Sequence, residues 1–147
     1  MSRTFVREYP IRFSHCDPAG IVYFPRLFDL LHEAYEDWFR LELGAPFAEL
    51  LMKRQLATPT VSTKADFLSP ARLGDVLRIE LVVTRLGQSA MDLGFEATIE
   101  GRTCLKAKHT VCMIGRETQK AVPIPADLRE RLALFVRASA DPAGGIP

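Results

Sequence analysis

His15-Cys16-Asp17-Pro18-Ala19-Gly20-Ile21-Val22-Tyr23-Phe24-Pro25 joins an alternating strand pattern on its N-terminal side to an amphipathic helix pattern on the other. Pro18 lacks a backbone N–H and biases Asp17 away from the helical region, while Gly20 can take a positive φ at little steric cost. The chain must turn here. Pro25 suits a first helical position, so the amides around Tyr23 and Phe24 fall among the unpaired donors of a helix N-terminus. Such donors favour an anion, including one that forms only in a transition state. One carboxylate, Asp17, therefore faces a positive helix end, which is the outline of a hydrolytic site.

Upstream, Phe5, Arg7, Tyr9, Ile11 and Phe13 share one face of a strand running to Phe13, with Pro10 marking an edge or bulge. The period-2 phase carries on to His15 and Asp17, pointing both the same way. Downstream, apolar residues from Leu27 to Leu43 recur at helical spacing, which predicts a long amphipathic helix from Pro25 to Leu43, stopped by Gly44 and Pro46. Phe47–Arg54 supports a short second helix. Beyond it the period changes: 58–67, 75–85, 90–100 and 103–114 are rich in β-formers and separated by turn signals at Ser69-Pro70, Gly87-Gln88 and Glu100-Gly101. The last three predict an antiparallel meander. Leu128, Leu132, Phe135 and Val136 then predict a helix over 126–138. One helix too apolar to stand alone must lie across one antiparallel sheet, an α+β arrangement.

The 147 residues fit one domain, 1–140, followed by a flexible tail over 141–147. Net charge is +1 with no long basic run and no basic amphipathic helix, which argues against nucleic acid or an anionic membrane as partner. No apolar run approaches the length of about 18 residues that spans a bilayer, and the N-terminus has no apolar signal core. A cytoplasmic location is expected. Cys16, Cys104 and Cys112 are odd in number and show no C-x-x-C spacing, so neither a disulfide frame nor a zinc site is expected, and reduced thiols fit the same compartment.

Together the first strand, the Asp17–Pro25 segment, the long helix, Ala57-Thr58-Pro59 and the antiparallel run resemble the 4-hydroxybenzoyl-CoA thioesterase family of hotdog-fold proteins, over residues 3–125. The resemblance implies a sheet wrapped around the long central helix and a homodimer or homotetramer with active sites at the subunit interface. It implies that Asp17 attacks the thioester carbonyl, as nucleophile or by activating water, and that the Phe24 backbone N–H polarises the thioester oxygen. Either route needs an ionised carboxylate. Thr58 and Thr60 resemble positions lining the opposite subunit's pocket, and Arg85 to Ser89 match a strand turn where basic residues meet the CoA phosphates. No metal or redox cofactor is implied, CoA being part of the substrate. The implied substrate-binding set is Gly20, Tyr23, Phe28, His32, Thr58, Thr60, Arg85 and Ser89.

Departures from the family pattern loosen the substrate assignment. His15 stands where the family has an acid, His32 where a carboxylate meets the ring hydroxyl of the acyl group, and Gln88 where a lysine stands; Lys64, Arg72 or Arg102 are other phosphate contacts. His15 and His32 each have a plain structural reading beside the functional one, as a strand-end residue and as a histidine packed between helix and sheet. Asp17 before a proline could be only a turn initiator. Cys16 beside a helix start could have nucleophilic character, but its strand neighbours point away from it, and it reads as inert packing. Trp38, Phe39, Phe47 and Phe67 read as core, with Phe24 and Phe28 lining an acyl pocket. Glu33, Glu36 and Asp37 could supply a second carboxylate for acid–base pairing, as some hotdog thioesterases place an acid on the central helix, and a solvated helix face explains them equally well.

The expected activity is an acyl-CoA thioesterase acting on an aryl group such as benzoyl or hydroxybenzoyl, or on a short-to-medium chain. A dehydratase acting on 3-hydroxyacyl-CoA needs a histidine paired with an acid on the central helix; a non-catalytic acyl-CoA-binding module would tolerate loss of Asp17.

Overall fold

A computed structural model describes residues 2–137. In chain order the elements are β1 (Phe5–Pro10), α1 (Phe24–Leu41), α2 (Phe47–Met52), β2 (Leu56–Ala57), β3 (Thr60–Phe67), β4 (Val76–Leu86), β5 (Ala90–Ile99), β6 (Arg102–Cys112), β7 (Ile114–Gly115) and α3 (Ala126–Leu132), with one-turn 3-10 helices at Phe13–His15 and Ala133–Phe135. Leu27, Leu30, Leu31, Ala34, Tyr35, Trp38 and Phe39 recur at three- and four-residue steps, and α1 buries all of them. They pack on the inward faces of an antiparallel sheet of order β1-β4-β5-β6-β3. That sheet alternates in register: Leu77, Ile79, Leu81 and Val83 of β4, Met91, Leu93, Phe95 and Ala97 of β5, and Leu105, Ala107 and Val111 of β6 are all buried. The architecture is α+β with the hotdog arrangement, and β4-β5-β6 form the expected meander.

The edge strand β3 pairs only with β6 and exposes every residue except the half-buried Ala65. At the opposite corner both ends of the described chain are tied together. The Arg3 amide donates to the Leu134 carbonyl at 2.8 Å, and the Arg137 amide donates to Val83 at 2.8 Å beside a parallel bridge from Val83 to Val136. No helix among the described residues is long and apolar enough to cross a membrane.

The structure departs from the sequence pattern in four places. The first strand stops at Pro10, and residues 13–15 coil into a 3-10 turn because the His15 ring Nδ1 accepts the Arg12 amide at 2.9 Å while the His15 amide returns to Arg12 O. The strand expected from Thr58 starts two residues later, at Thr60: just before it Leu56–Ala57 pairs with β7 as a separate ribbon, and the chain crosses to the main sheet at Thr58-Pro59. The long helix begins one residue early, at Phe24, with Pro25 second. The last helix ends at Leu132 and tightens into 3-10 geometry over Ala133–Phe135, and Val136, expected to be helical, is extended and bridges Val83; Ala138 of the expected helix and the tail over 141–147 lie outside the described residues.

Candidate active site

The loop that carries Asp17 is a short hairpin. Cys16 bridges Val22, the Asp17 amide donates to Ile21 O at 2.9 Å, and the Gly20 amide donates to Asp17 O at 3.0 Å. Gly20 takes φ +79° with no atom near the place a Cβ would occupy, so it is the backbone angle and not crowding that requires glycine. Asp17 Oδ1 accepts the Ala19 amide at 2.9 Å and the Ile21 amide at 3.3 Å. The turn-forming and the reactive readings of this residue therefore coexist: Oδ1 braces the loop, and Oδ2 takes no hydrogen bond among the described residues. The loop is docked from outside by Val22 N–H to Ala71 O at 2.8 Å and Leu73 N–H to Gly20 O at 3.0 Å.

The helix start is narrower than the sequence suggests. The Tyr23 amide is consumed by His15 O at 3.0 Å, and Tyr23 is the N-cap, with φ −67° and ψ 121°. Of the two amides expected to be open, only that of Phe24 has no acceptor among the described residues. It heads an 18-residue helix, whose aligned peptide dipoles add positive potential at this end.

Phe24, Phe28 and His32 follow at four-residue spacing along α1, a stripe about 12 Å long at about 1.5 Å rise per residue. The Phe24 ring meets Phe67 edge-on at 5.7 Å, and Phe67 meets Phe28 at 5.9 Å. Phe67, read as core from sequence, is 47% exposed, because among the described residues the β3 edge has no neighbouring strand to cover it. A groove of about 340 Å³ lies beside this wall, lined by Val22, Phe24, Leu27, Phe67 and residues 68–71. A second cavity of about 350 Å³ holds His32 and Thr58, with Phe47, Leu50 and Pro59 on its walls. Phe47, also read as core, is only half-buried and forms part of that wall. Thr58 Oγ1 accepts the Tyr35 hydroxyl at 2.9 Å. Burial pushes that hydroxyl well above its ordinary pKa, with the Thr58 hydrogen bond opposing.

Other expected residues are placed differently. His15 does not continue a strand phase toward Asp17; its Nδ1 is engaged as a local cap. Arg85 pairs with Asp92, with Nε 3.0 Å from Oδ2 and Nη2 3.4 Å from Oδ1, while its side chain stays half-exposed. Burial would raise the Asp92 carboxyl, but hydrogen bonds from Arg85 and Thr110, with the charges of Arg85 and Lys108, outweigh it and hold the group below its usual value. Arg102 is tied to Ser69 and Pro70, while Lys64 lies exposed in register with Lys108. Ser89 sits in the β4–β5 turn, its carbonyl taken by the Met113 amide. Thr60 is exposed at the start of β3. Cys16 Sγ lies 3.5 Å from Arg12 O. Of the central-helix acids, Asp37 is not simply solvated: it accepts from the Tyr9 hydroxyl at 2.6 Å and pairs with Arg40 at 3.0 Å. Among the described residues no group of three or more His, Cys, Asp or Glu is placed to hold a metal ion.

Sequence reasoning missed His109. It stands opposite Leu93 in the β5–β6 register and is 9% exposed, with its ring 4.9 Å from Phe95 and 6.2 Å from Phe28. The signal was present: in the alternation Leu105, Ala107, His109, Val111 it is the one polar residue on the inward phase.

With this geometry in hand, comparisons place the chain. The family described as the thioesterase-like superfamily matches residues 11–132. A protein of Thermosynechococcus vestitus named 1,4-dihydroxy-2-naphthoyl-CoA hydrolase is 33% identical over 132 residues, covering 87% of this chain and 89% of its own. One of the same name from Synechocystis sp. is 31% identical over 125 residues, covering 83% and 89%. The crystal structure of a Synechocystis 1,4-dihydroxy-2-naphthoyl-CoA thioesterase superposes with TM-score 0.81 at 25% identity, covering 89% of this chain and 96% of that one. The chain belongs to the thioesterase-like superfamily, as a thioester hydrolase with the hotdog fold.

Proposed function

We propose that the protein hydrolyses an aryl-CoA thioester to free CoA and an aromatic carboxylate. The observation that carries this reading is the continuous aromatic wall of Phe24, Phe67 and Phe28, which starts at the unpartnered Phe24 amide on the helix that follows the Asp17 loop. A planar acyl ring fits edge and face contacts of that kind. The 1,4-dihydroxy-2-naphthoyl-CoA hydrolases at 31–33% identity support it.

In this mechanism the thioester oxygen sits at the Phe24 N–H, where the helix end stabilises the negative charge that grows on it. Asp17 Oδ2 adds to the carbonyl carbon or takes the proton of an attacking water, while Oδ1 stays on the Ala19 and Ile21 amides and fixes the direction of attack. The C–S bond breaks, CoA leaves as the thiolate and is protonated, and water supplies the second oxygen of the acid. The exposed β3 edge suits pairing with a second copy, which would bring another Thr58 and Thr60 toward the Asp17 loop. Unpaired thiols at Cys16, Cys104 and Cys112 suit the cytoplasm.

The test is thiol release from a panel of benzoyl-, hydroxybenzoyl-, 1,4-dihydroxy-2-naphthoyl-, phenylacetyl- and straight-chain CoA. The highest kcat/KM is expected on an aryl thioester. A clear preference for straight chains, or no thiol release from any of them, would reject the reading.

A further inference from the structure

Three buried side-chain nitrogens have no hydrogen-bond partner among the described residues: Arg7 Nε, Trp38 Nε1 and His109 Nε2. Two of them have an account. Arg7 Nε lies 3.5 Å from Asp37 Oδ2 as an ion pair. The Trp38 indole is packed among aromatic rings, near-perpendicular to Phe135 at 5.4 Å and to Phe39 at 5.8 Å between centroids, where an N–H can meet a π face. His109 has none. Its imidazole is more than nine-tenths buried on the inward face of β6, between Phe95 of the sheet and Phe28 of the aromatic wall.

We propose that His109 Nε2 recognises a hydroxyl on the acyl ring, which makes this a site for hydroxylated aryl thioesters. The inference rests on the aryl-CoA reading above. Phe28 packs against both His109 and Phe67, with ring centroids 6.2 and 5.9 Å away, so it links the buried nitrogen to the exposed end of the wall; the proposed contact requires that ring to turn as substrate enters. The stripe on α1 sets the scale. His109 lies against its middle residue, about 6 Å along the axis from the Phe24 amide by helical rise, and that separation fits a ring directly attached to the thioester carbonyl. The charge state agrees. Burial first, and then the neighbouring His32 on α1, the titratable group that acts on it, keep His109 below its ordinary pKa. The neutral ring carries one N–H and one lone pair, which suits an uncharged hydroxyl better than a carboxylate.

The test compares kcat/KM on 1,4-dihydroxy-2-naphthoyl-CoA and on 2-naphthoyl-CoA for the parent, His109→Gln and His109→Leu. The hydroxylated-to-plain ratio is expected to fall about 10- to 100-fold in His109→Leu and to be partly retained in His109→Gln. A ratio unchanged in both variants overturns the proposal. Should the variants fail to fold, the parent protein labelled with 15N-histidine has only three imidazoles to resolve. The His109 nitrogens are expected to shift with 1,4-dihydroxy-2-naphthoate and not with 2-naphthoate. Equal shifts with both acids, or none with either, overturn it. A parent enzyme that cleaves neither thioester removes the aryl-CoA reading itself; cleavage with an unaltered ratio removes only the role of His109.

Discussion

Asp17 Oδ1 and the Ala19 amide nitrogen stand 2.9 Å apart, so one oxygen of the candidate reactive carboxylate is also a brace of the loop that presents it. The two duties separate by substitution. Asp17→Asn keeps a carbonyl oxygen for the Ala19 and Ile21 amides but has no carboxylate, so kcat is expected to fall about 10²- to 10⁴-fold with the urea midpoint close to the parent's. Asp17→Ala is expected to lose the same activity and, in addition, about 1 kcal/mol of stability. Paired turnover and urea titrations check both. An Asn variant as active as the parent would remove Asp17 from the chemistry.

The Phe24 amide can be deleted without breaking the helix. Tyr23, at φ −67° and ψ 121°, already has the backbone that precedes a proline, and Phe24 is the first helical residue, where no intrahelical N–H bond exists to lose. Phe24→Ala removes the ring alone, whereas Phe24→Pro removes the ring and the N–H. The Pro variant is expected to be about 10²- to 10³-fold slower in kcat than the Ala variant, the effect of one oxyanion donor. Equal rates would show that the amide has no catalytic part.

Tyr35 and Thr58 share a hydrogen bond whose two ends differ in burial. Tyr35 is 3% exposed, while Thr58 lines the cavity beside His32. Thr58→Val strands a buried hydroxyl and is expected to destabilise by about 1–3 kcal/mol, whereas Tyr35→Phe leaves only a cavity-facing threonine that water can satisfy and is expected to lose about 1 kcal/mol or less. Urea unfolding of the two variants gives the order.

Asp92 adds an acid-dependent contribution to stability. Its carboxyl is held below the usual value in the folded protein, so the unfolded chain takes up the proton first as pH falls, and the stabilisation is present above the unfolded value of about 3.9 and is lost below it. Asp92→Asn is therefore expected to be less stable than the parent by about 1–3 kcal/mol at pH 7, with the gap closing toward pH 3. A gap that does not change with pH would mean that shape, not charge, is what Asp92 supplies.

The helix and the sheet were legible because each keeps one period for many residues: Leu27 to Phe39 at helical spacing, and the alternations in β4, β5 and β6. Where the chain changes partner within a few residues, periodicity has nothing to report. The Leu56–Ala57 ribbon went unread, and Thr58 and Pro59 were counted into the strand although the chain is crossing between sheets there; the strand phase carried past Pro10 failed because the His15 ring accepts an amide that a ladder would otherwise use. The turn at Asp17 was readable from Pro18 and Gly20, whose backbone limits are local. Occupied partners were not: neither the capture of the Tyr23 amide by His15 nor the pairing of Arg85 with Asp92 is a local property of the residues concerned. Phe67 and His109 were misjudged or missed for one reason, since their surroundings depend on which strand lies at the sheet edge and which helix face covers β6.

The hydrogen bond from Arg3 to Leu134 makes the described fold a loop with a seam, since both ends of the described residues meet at one corner beside β4. A short linker across that seam would let the polypeptide be reopened elsewhere. The turn at Glu100-Gly101, both in left-handed geometry with open space around the glycine, joins β5 to β6 and is separate from the Asp17 loop and the start of α1. A rearranged gene beginning at Arg102 would keep every segment that carries the site intact while reversing the order in which the ribosome delivers them, with β6 made first and the Asp17 hairpin later.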